Sequence, residues 1–184
     1  TLIQLNVAKA CYETGVKKLI NLGSSCIFPK SAEQPFKETS VLTGVPEETN
    51  KYYSYGKLMG ILAIDALNKQ YNTNYYSAMP PNVYGINDSF DEKGHVIPQL
   101  LKKFHNIKQM SGVKIEHVEV QGSPITEREF IYAEDLAKII LFFAENVDVE
   151  QIRKLNGTNL VNVCGKVCTI EKIVDIIQKT VGTD

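Results

Sequence analysis

Apolar positions recur along this chain in two alternating rhythms. Residues 2–14 carry Leu2, Leu5, Val7, Ala8 and Cys11 at helical spacing and stop before Gly15, which predicts a first helix. Residues 16–22 form a short apolar run that leaves through Gly23, Ser24 and Ser25, the signature of a strand. A long helix is predicted over 51–70, carrying Leu58, Met59, Ile61, Leu62, Ile64 and Leu67. A strand follows over 75–79 and ends at Pro80-Pro81-Asn82. Beyond it come an amphipathic helix over 95–108, a strand over 115–121, a short strand over 130–132 and a helix over 133–146. A strand over 160–164 and a last helix capped by Thr169 and running to about Val181 complete the pattern. Residues 27–50, with Pro29, Pro35 and Pro46, read as one long loop, and loops of that length are commonly functional. Residues 85–94 read as a shorter polar loop.

Strands alternate with helices throughout, which favours a parallel sheet covered by helices on both faces. A chain of 184 residues is long enough for a real core. Its net charge of −1 gives no basic footprint for nucleic acid. No apolar run reaches the roughly 18 residues needed to cross a bilayer, and no secretory leader is read at the start of the sequence. The expectation is a cytoplasmic protein without nucleic-acid or membrane partners. Cys11, Cys26, Cys164 and Cys168 lack metal-site spacing, so thiols in a reducing compartment and no metal are expected. The triplets Asn87-Asp88-Ser89 and Asn156-Gly157-Thr158 match a glycosylation acceptor and are read as chance.

Chemistry gathers first at Tyr53 and Lys57. Four residues apart on a helix, they share one face. An ammonium one turn away favours the phenolate form of a tyrosine, which suits proton exchange with a carbonyl or hydroxyl oxygen. The same spacing also fits an ordinary surface pair. Ser24 and Ser25 follow a strand, and side chains at the carboxyl ends of parallel strands line the ligand crevice. A hydroxyl there can bind the oxygen that Tyr53 protonates, or it can simply cap a turn. Cys26 alone reads as a small buried residue, His95 as a helix-start residue, and Arg128 as a partner for Glu127, Glu129 or Asp135. His105 and His117 have no partner in the pattern.

The string from Leu22 through Ser24, Ser25 and Cys26 to Lys30 closely resembles the serine loop of the GDP-L-fucose synthases, epimerase/reductases of the extended short-chain dehydrogenase class. The resemblance continues at Gln34-Pro35, Leu42-Thr43-Gly44, Glu48-Thr49-Asn50, from Met79 to Gly85, from Asn87 to Phe90 and from His95 to Pro98. It resumes at 128–132, at Glu134-Asp135-Leu136 and at 168–171, so it covers nearly the whole chain. Tyrosine, lysine and serine alone would indicate only a short-chain dehydrogenase; the Cys26 loop combined with the His95 loop narrows the resemblance to this group.

The resemblance implies a Rossmann-type, doubly wound α/β sheet with part of a small α/β substrate lobe. Residues 1–84 would be the catalytic part of the Rossmann domain and 85–128 mainly the substrate lobe. Residues 129–184 would return to the sheet and begin the C-terminal part of that lobe. The implied activity is NADPH-dependent 3,5-epimerisation and 4-reduction of a GDP-4-keto-6-deoxymannose. Ser24 and Tyr53 would bind the ketone oxygen, Lys57 would tune Tyr53 and hold the nicotinamide ribose, and Cys26 and His95 would be the acid/base pair. Pro80, Asn82, Val83 and His95 would lie against the cofactor, and Ser25, Asn82, Lys103 and Arg128 against the GDP-sugar. The first helix and the Tyr53–Lys57 helix resemble those that pair subunits in this group, implying a homodimer.

The sequence departs from the pattern in several places. No GxxGxxG turn lies between a first strand and helix, so the expectation is that cofactor-binding strand–helix units precede Thr1 and that the family pattern continues past Asp184. Lys103 stands where the group usually has Arg, a point charge in place of a fork. Gln121 stands where Trp is frequent, and Pro81 where Thr is usual. These leave room for another nucleotide-sugar epimerase or dehydratase, and the missing turn for a non-catalytic remnant.

Overall fold

The computed structural model describes residues 1–91, 94–110, 120 and 123–182. The strand expected over 115–121, with His117 and Gln121, lies outside these residues. The chain divides into two compact units, Thr1–Pro81 with Asp135–Cys164, and Asn82–Glu134 with Gly165–Asp184.

In the first unit, helix α1 (Leu2–Glu13) ends where Gly15 takes the left-handed conformation, φ 71°. The Val16 N–H returns to the Cys11 carbonyl at 2.8 Å and the Gly15 N–H to the Tyr12 carbonyl at 3.2 Å, the Schellman closure. Strand β1 (Lys18–Leu22) follows. The long loop holds three short 3₁₀ turns, Ser25–Ile27, Glu38–Ser40 and Glu48–Asn50. Helix α2 (Lys51–Tyr71) then crosses back to strand β2 (Asn74–Met79), which pairs in parallel with β1 from Lys18↔Asn74 to Leu22↔Ala78. On the other side of β2, strand β5 (Leu160–Asn162) pairs in parallel, with Met79 opposite Asn162. The order β1-β2-β5 places β2 in the middle.

Side-chain alternation on β2 sends neighbours to opposite faces. Tyr75 packs with Ala8 of α1 and Ile64 of α2. Tyr76 packs with Phe143 of helix α4 (Ala133–Asn146) and with Val149 and Ile152 of helix α5 (Val149–Asn156). Helices therefore cover both faces of a parallel sheet, the doubly wound α/β arrangement. The loop of residues 27–50 is pinned at its middle: the Glu38 carboxylate accepts from the Asn162 N–H at 2.8 Å and from the Asn156 amide at 3.2 Å.

In the second unit, strand β3 (Asn82–Tyr84) pairs in parallel with strand β4 (Glu127–Tyr132), and β4 pairs antiparallel with strand β6 (Lys166–Thr169). Helices α3 (Val96–Gln109) and α6 (Ile170–Val181) bury Leu100, Phe104, Ile170, Ile173 and Ile177 with Phe130. The Thr169 hydroxyl accepts from the Lys172 N–H at 3.2 Å, the cap that the sequence suggests. The sequence reading had the chain return to the first sheet at residue 129. Instead β4 stays with β3 and β6, because its backbone is hydrogen-bonded on both edges there, and the return begins at Asp135. Helix α5 and strands β3 and β6 were not anticipated. Among the described residues no helix is long and apolar enough to cross a membrane.

Tyr76 is fully buried, and its hydroxyl donates to the carbonyls of Phe143 at 3.1 Å and Val147 at 3.2 Å. Burial first, and the nearby Asp148 charge second, push its pKa up to about 12. A folded pKa above the unfolded value near 10 means that the stabilisation is complete below about pH 10 and is lost as pH rises toward about 12, by about 1.4 kcal/mol per pH unit. Urea unfolding across that window should therefore weaken the wild-type protein more steeply than Tyr76→Phe. Parallel losses in the two proteins would assign the alkaline instability to other groups.

Candidate active site

The carboxyl ends of β1 and β2 form the centre of the first unit's site. The Gly23 N–H donates to the Ala78 carbonyl at 2.9 Å and the Ser25 N–H to the Pro80 carbonyl at 3.2 Å, so the two strand exits run side by side. A Cβ at Gly23 would meet the Met79 Sδ at 2.4 Å, so a larger residue at this exit would require that buried side chain to shift. Ser24 begins the turn Ser25–Ile27, its Oγ accepting from the Cys26 N–H at 3.2 Å.

Helix α2 is fastened to this loop by two side chains on one of its faces. Ser54, fully buried, donates through Oγ to the Cys26 carbonyl at 2.7 Å. The Lys57 Nζ donates to the Leu22 carbonyl at 2.9 Å and lies 5.8 Å from the centroid of the Tyr53 ring. Tyr53 itself is half exposed, at 52%. Leu58 and Ile61, with Ile27, Phe28 and Met79, form the apolar floor beneath these groups. The structure thus brings Ser24, Ser25, Cys26, Tyr53, Lys57 and Pro80 into one unit.

The remaining sequence candidates fall in the second unit. A cavity of about 320 Å³ is lined by Asn82, Val83, His95 and Arg128, and by the hydroxyl-bearing Ser123 and Thr126. Its apolar walls include Phe130 and Ile170. The Asn82 amide donates to the Glu129 carbonyl at 2.9 Å. Because that carbonyl can only accept, the Asn82 nitrogen is the atom facing it. The guanidinium of Arg128 donates to the Glu127 carbonyl at 3.0 Å, and among the described residues no carboxylate comes within ion-pair distance of it. The carboxylate pairing considered for Arg128 is therefore not seen. His95 is the exposed N-cap residue of α3, and its side chain makes no capping bond. Lys103 sits on α3 and does not line the cavity.

Sequence reading passed over Ser54, Ser123 and Thr126. Ser54 did carry a signal, a small polar residue in register with Leu58 and Ile61 on a buried helical face. Ser123 and Thr126 carried none, since isolated hydroxyl residues in a polar stretch are common. Among the described residues no cluster of three or more His, Cys, Asp or Glu side chains could hold a metal ion. The four cysteines form no disulfide.

A doubly wound sheet with a serine turn at one strand exit and a Tyr–Lys pair on the next helix defines a Rossmann-type protein of the short-chain dehydrogenase kind. The profile of the NAD dependent epimerase/dehydratase family matches residues 1–160, and the chain belongs to that family. It is 39% identical over 182 residues to GDP-L-fucose synthase 1 of Arabidopsis thaliana, covering 98% of this chain and 53% of that protein. It is 37% identical over 186 residues to the GDP-L-fucose synthase of Escherichia coli, covering 98% of this chain and 56% of that one. The chain thus spans about half the length of the curated relatives it matches. Among solved structures it resembles the GDP-mannoheptose C4 reductase of Campylobacter jejuni with NADP bound. There the TM-score is 0.84 at 28% identity, over 98% of this chain and 61% of that one.

Gly165 offers a direct check on the second unit. A Cβ there would lie 2.2 Å from the Phe130 carbonyl oxygen and 2.7 Å from its carbon, and backbone cannot swing aside as a side chain can. Gly165→Ala should destabilise the protein by about 1–3 kcal/mol, seen as a lower thermal midpoint. An unchanged midpoint would mean that β4 yields at Phe130.

Proposed function

We propose that the full-length protein is an NADPH-dependent epimerase/reductase that inverts C3 and C5 of GDP-4-keto-6-deoxy-D-mannose and reduces C4, giving GDP-L-fucose. The observation that carries this reading is the fastening of the Cys26 turn to the Tyr53–Lys57 helix, through Ser54 at 2.7 Å and Lys57 at 2.9 Å. A simple ketone reductase needs the tyrosine, lysine and serine; a thiol on the same loop adds acid/base capacity that only an epimerisation uses. The names of the Arabidopsis and Escherichia relatives support the same substrate.

In this reading the 4-keto group acidifies the protons on C3 and C5. Cys26 and His95 act as the acid/base pair, one taking the proton from carbon and the other returning one to the opposite face, at each carbon in turn. The Ser24 hydroxyl holds the C4 oxygen, and Tyr53 gives that oxygen its phenolic proton as the carbonyl becomes an alcohol. NADPH, when bound, supplies the hydride to C4. The side chains present fit such a cofactor. The Lys57 ammonium has three N–H donors, one of them given to Leu22, and it stands beside a half-exposed phenol. Tyr53 and Lys57 would hold the ribose, and Pro80, Asn82, Val83 and His95 the nicotinamide.

Ser25, Asn82, Lys103 and Arg128 are assigned to the GDP-sugar. The absence of a carboxylate partner for Arg128 among the described residues, and the hydroxyls of Ser123 and Thr126 in the same cavity, favour a diphosphate there. A homodimer through α1 and α2 belongs to the reading, supported by Ile3, Val7, Met59 and Leu62, all exposed on those helices. So does a cytoplasmic setting, supported by four cysteines without a disulfide.

A second reading, C4 reduction without inversion, is favoured by the likeness to the Campylobacter C4 reductase. Product analysis of the full-length protein separates the two, since only the first gives an L-sugar. Cys26→Ser should then lower solvent-deuterium incorporation at C3 and C5 by roughly 100-fold or more while KM changes little. Undiminished exchange would remove Cys26 from the mechanism. Arg128→Gln should raise KM for the GDP-sugar by roughly tenfold with kcat nearly unchanged. A purely kcat effect would count against a diphosphate contact.

A further inference from the structure

The backbone of Cys26 is held on both sides by hydroxyl groups. Its N–H donates to the Ser24 Oγ at 3.2 Å, and its carbonyl accepts from the Ser54 Oγ at 2.7 Å. The second bond answers a local deficit. In a continuing 3₁₀ turn the Cys26 carbonyl would accept from the N–H of residue 29. Residue 29 is proline, which has no N–H and disfavours helical backbone in the residue before it. Phe28 accordingly leaves the turn with extended backbone, φ −68° and ψ 143°. The next donor along the chain, the Lys30 N–H, is committed to the Val45 carbonyl at 3.1 Å. The Cys26 carbonyl is thereby left for a group outside its own turn, and fully buried Ser54 supplies the donor from α2. Ser54 is bonded in sequence to Tyr53, so this bond ties the turn bearing the thiol to the residue bearing the phenol.

We propose that Ser54 is a positioning residue for the epimerisation half of the reaction, fixing Cys26 in register with Tyr53. This rests on the reading of Cys26 as an acid/base group. Lys57 holds the Leu22 carbonyl one turn further along α2, independently of Ser54, so the strand exit stays anchored when Ser54 is changed. Losing the Ser54 hydroxyl therefore frees the Cys26 turn selectively and leaves the phenol–ammonium pair in place.

The readout is the ratio of inverted to non-inverted C4-reduced sugar made by the full-length protein with GDP-4-keto-6-deoxymannose and NADPH. Partial unfolding scales both products together and leaves the ratio unmoved. Ser54→Ala should shift the ratio toward the non-inverted product by about tenfold or more, the scale of rate loss that accompanies a small misplacement of a reacting group. Ser54→Thr, which keeps the hydroxyl, should restore most of it. If Ser54→Ala does not fold, Ser54→Cys, similar in shape but a weaker donor, is compared in its place. An unchanged ratio, with turnover intact or merely reduced, overturns the proposal. The wild-type control separates this from a failure of the function itself, because wild-type protein that inverts neither carbon overturns the epimerase reading and the proposal together.

Discussion

Two parallel strands cannot be joined by a tight turn; the chain has to cross back over the sheet before the second strand can begin. The pairing of β1 with β2 imposes that requirement here, and residues 23–73 are the crossover it demands. The path leaves β1 at its carboxyl end, and α2 must start near that same end to run back. Ser24, Cys26, Tyr53 and Lys57 are thereby delivered to one edge of the sheet, although Cys26 and Lys57 stand far apart along the chain. The hydrogen bonds of Lys57 and Ser54 then fix what topology has only brought near.

Much of this was legible from residue order. The apolar period over 51–70 marked α2 to within a residue of Lys51–Tyr71, and Thr169 announced the start of α6. The i,i+4 spacing of Tyr53 and Lys57 was sufficient to put them on one face. What escaped was of two kinds. Helix α5 is short and mostly polar, burying only Val149 and Ile152, so its apolar rhythm has too few beats to register; its real signal was the capping box of Asp148 and Gln151. Strands β3 and β6 were missed because, at three and four residues, they are too short for a periodic trace, and both pair with β4 far along the sequence.

The candidate residues divide between the two units. Ser24, Cys26, Tyr53 and Lys57 stand in the first unit, where strand exits and a helix face fix them. Arg128, Asn82 and His95 stand in the second unit, around a cavity whose polar groups are hydroxyls, an amide, an imidazole and a guanidinium. The tyrosine–lysine pair was easier to read from sequence because it has a fixed spacing, whereas hydroxyls such as Ser123 and Thr126 draw notice only once a cavity surrounds them.

The anchoring of the long loop by Glu38 has a consequence in time. Its acceptor bond to the Asn162 N–H spans 124 positions of sequence, and its bond to the Asn156 amide spans 118. Neither donor exists while residues 1–100 of this sequence are emerging from the ribosome. The strand β1, the crossover helix and β2 can assemble early from contacts nearer in sequence, but the loop that carries the serine turn gains its outer clasp only after β5 has been made and docked. Completion of this edge of the site is a late event in the life of the nascent chain, set by the order in which the residues are synthesised.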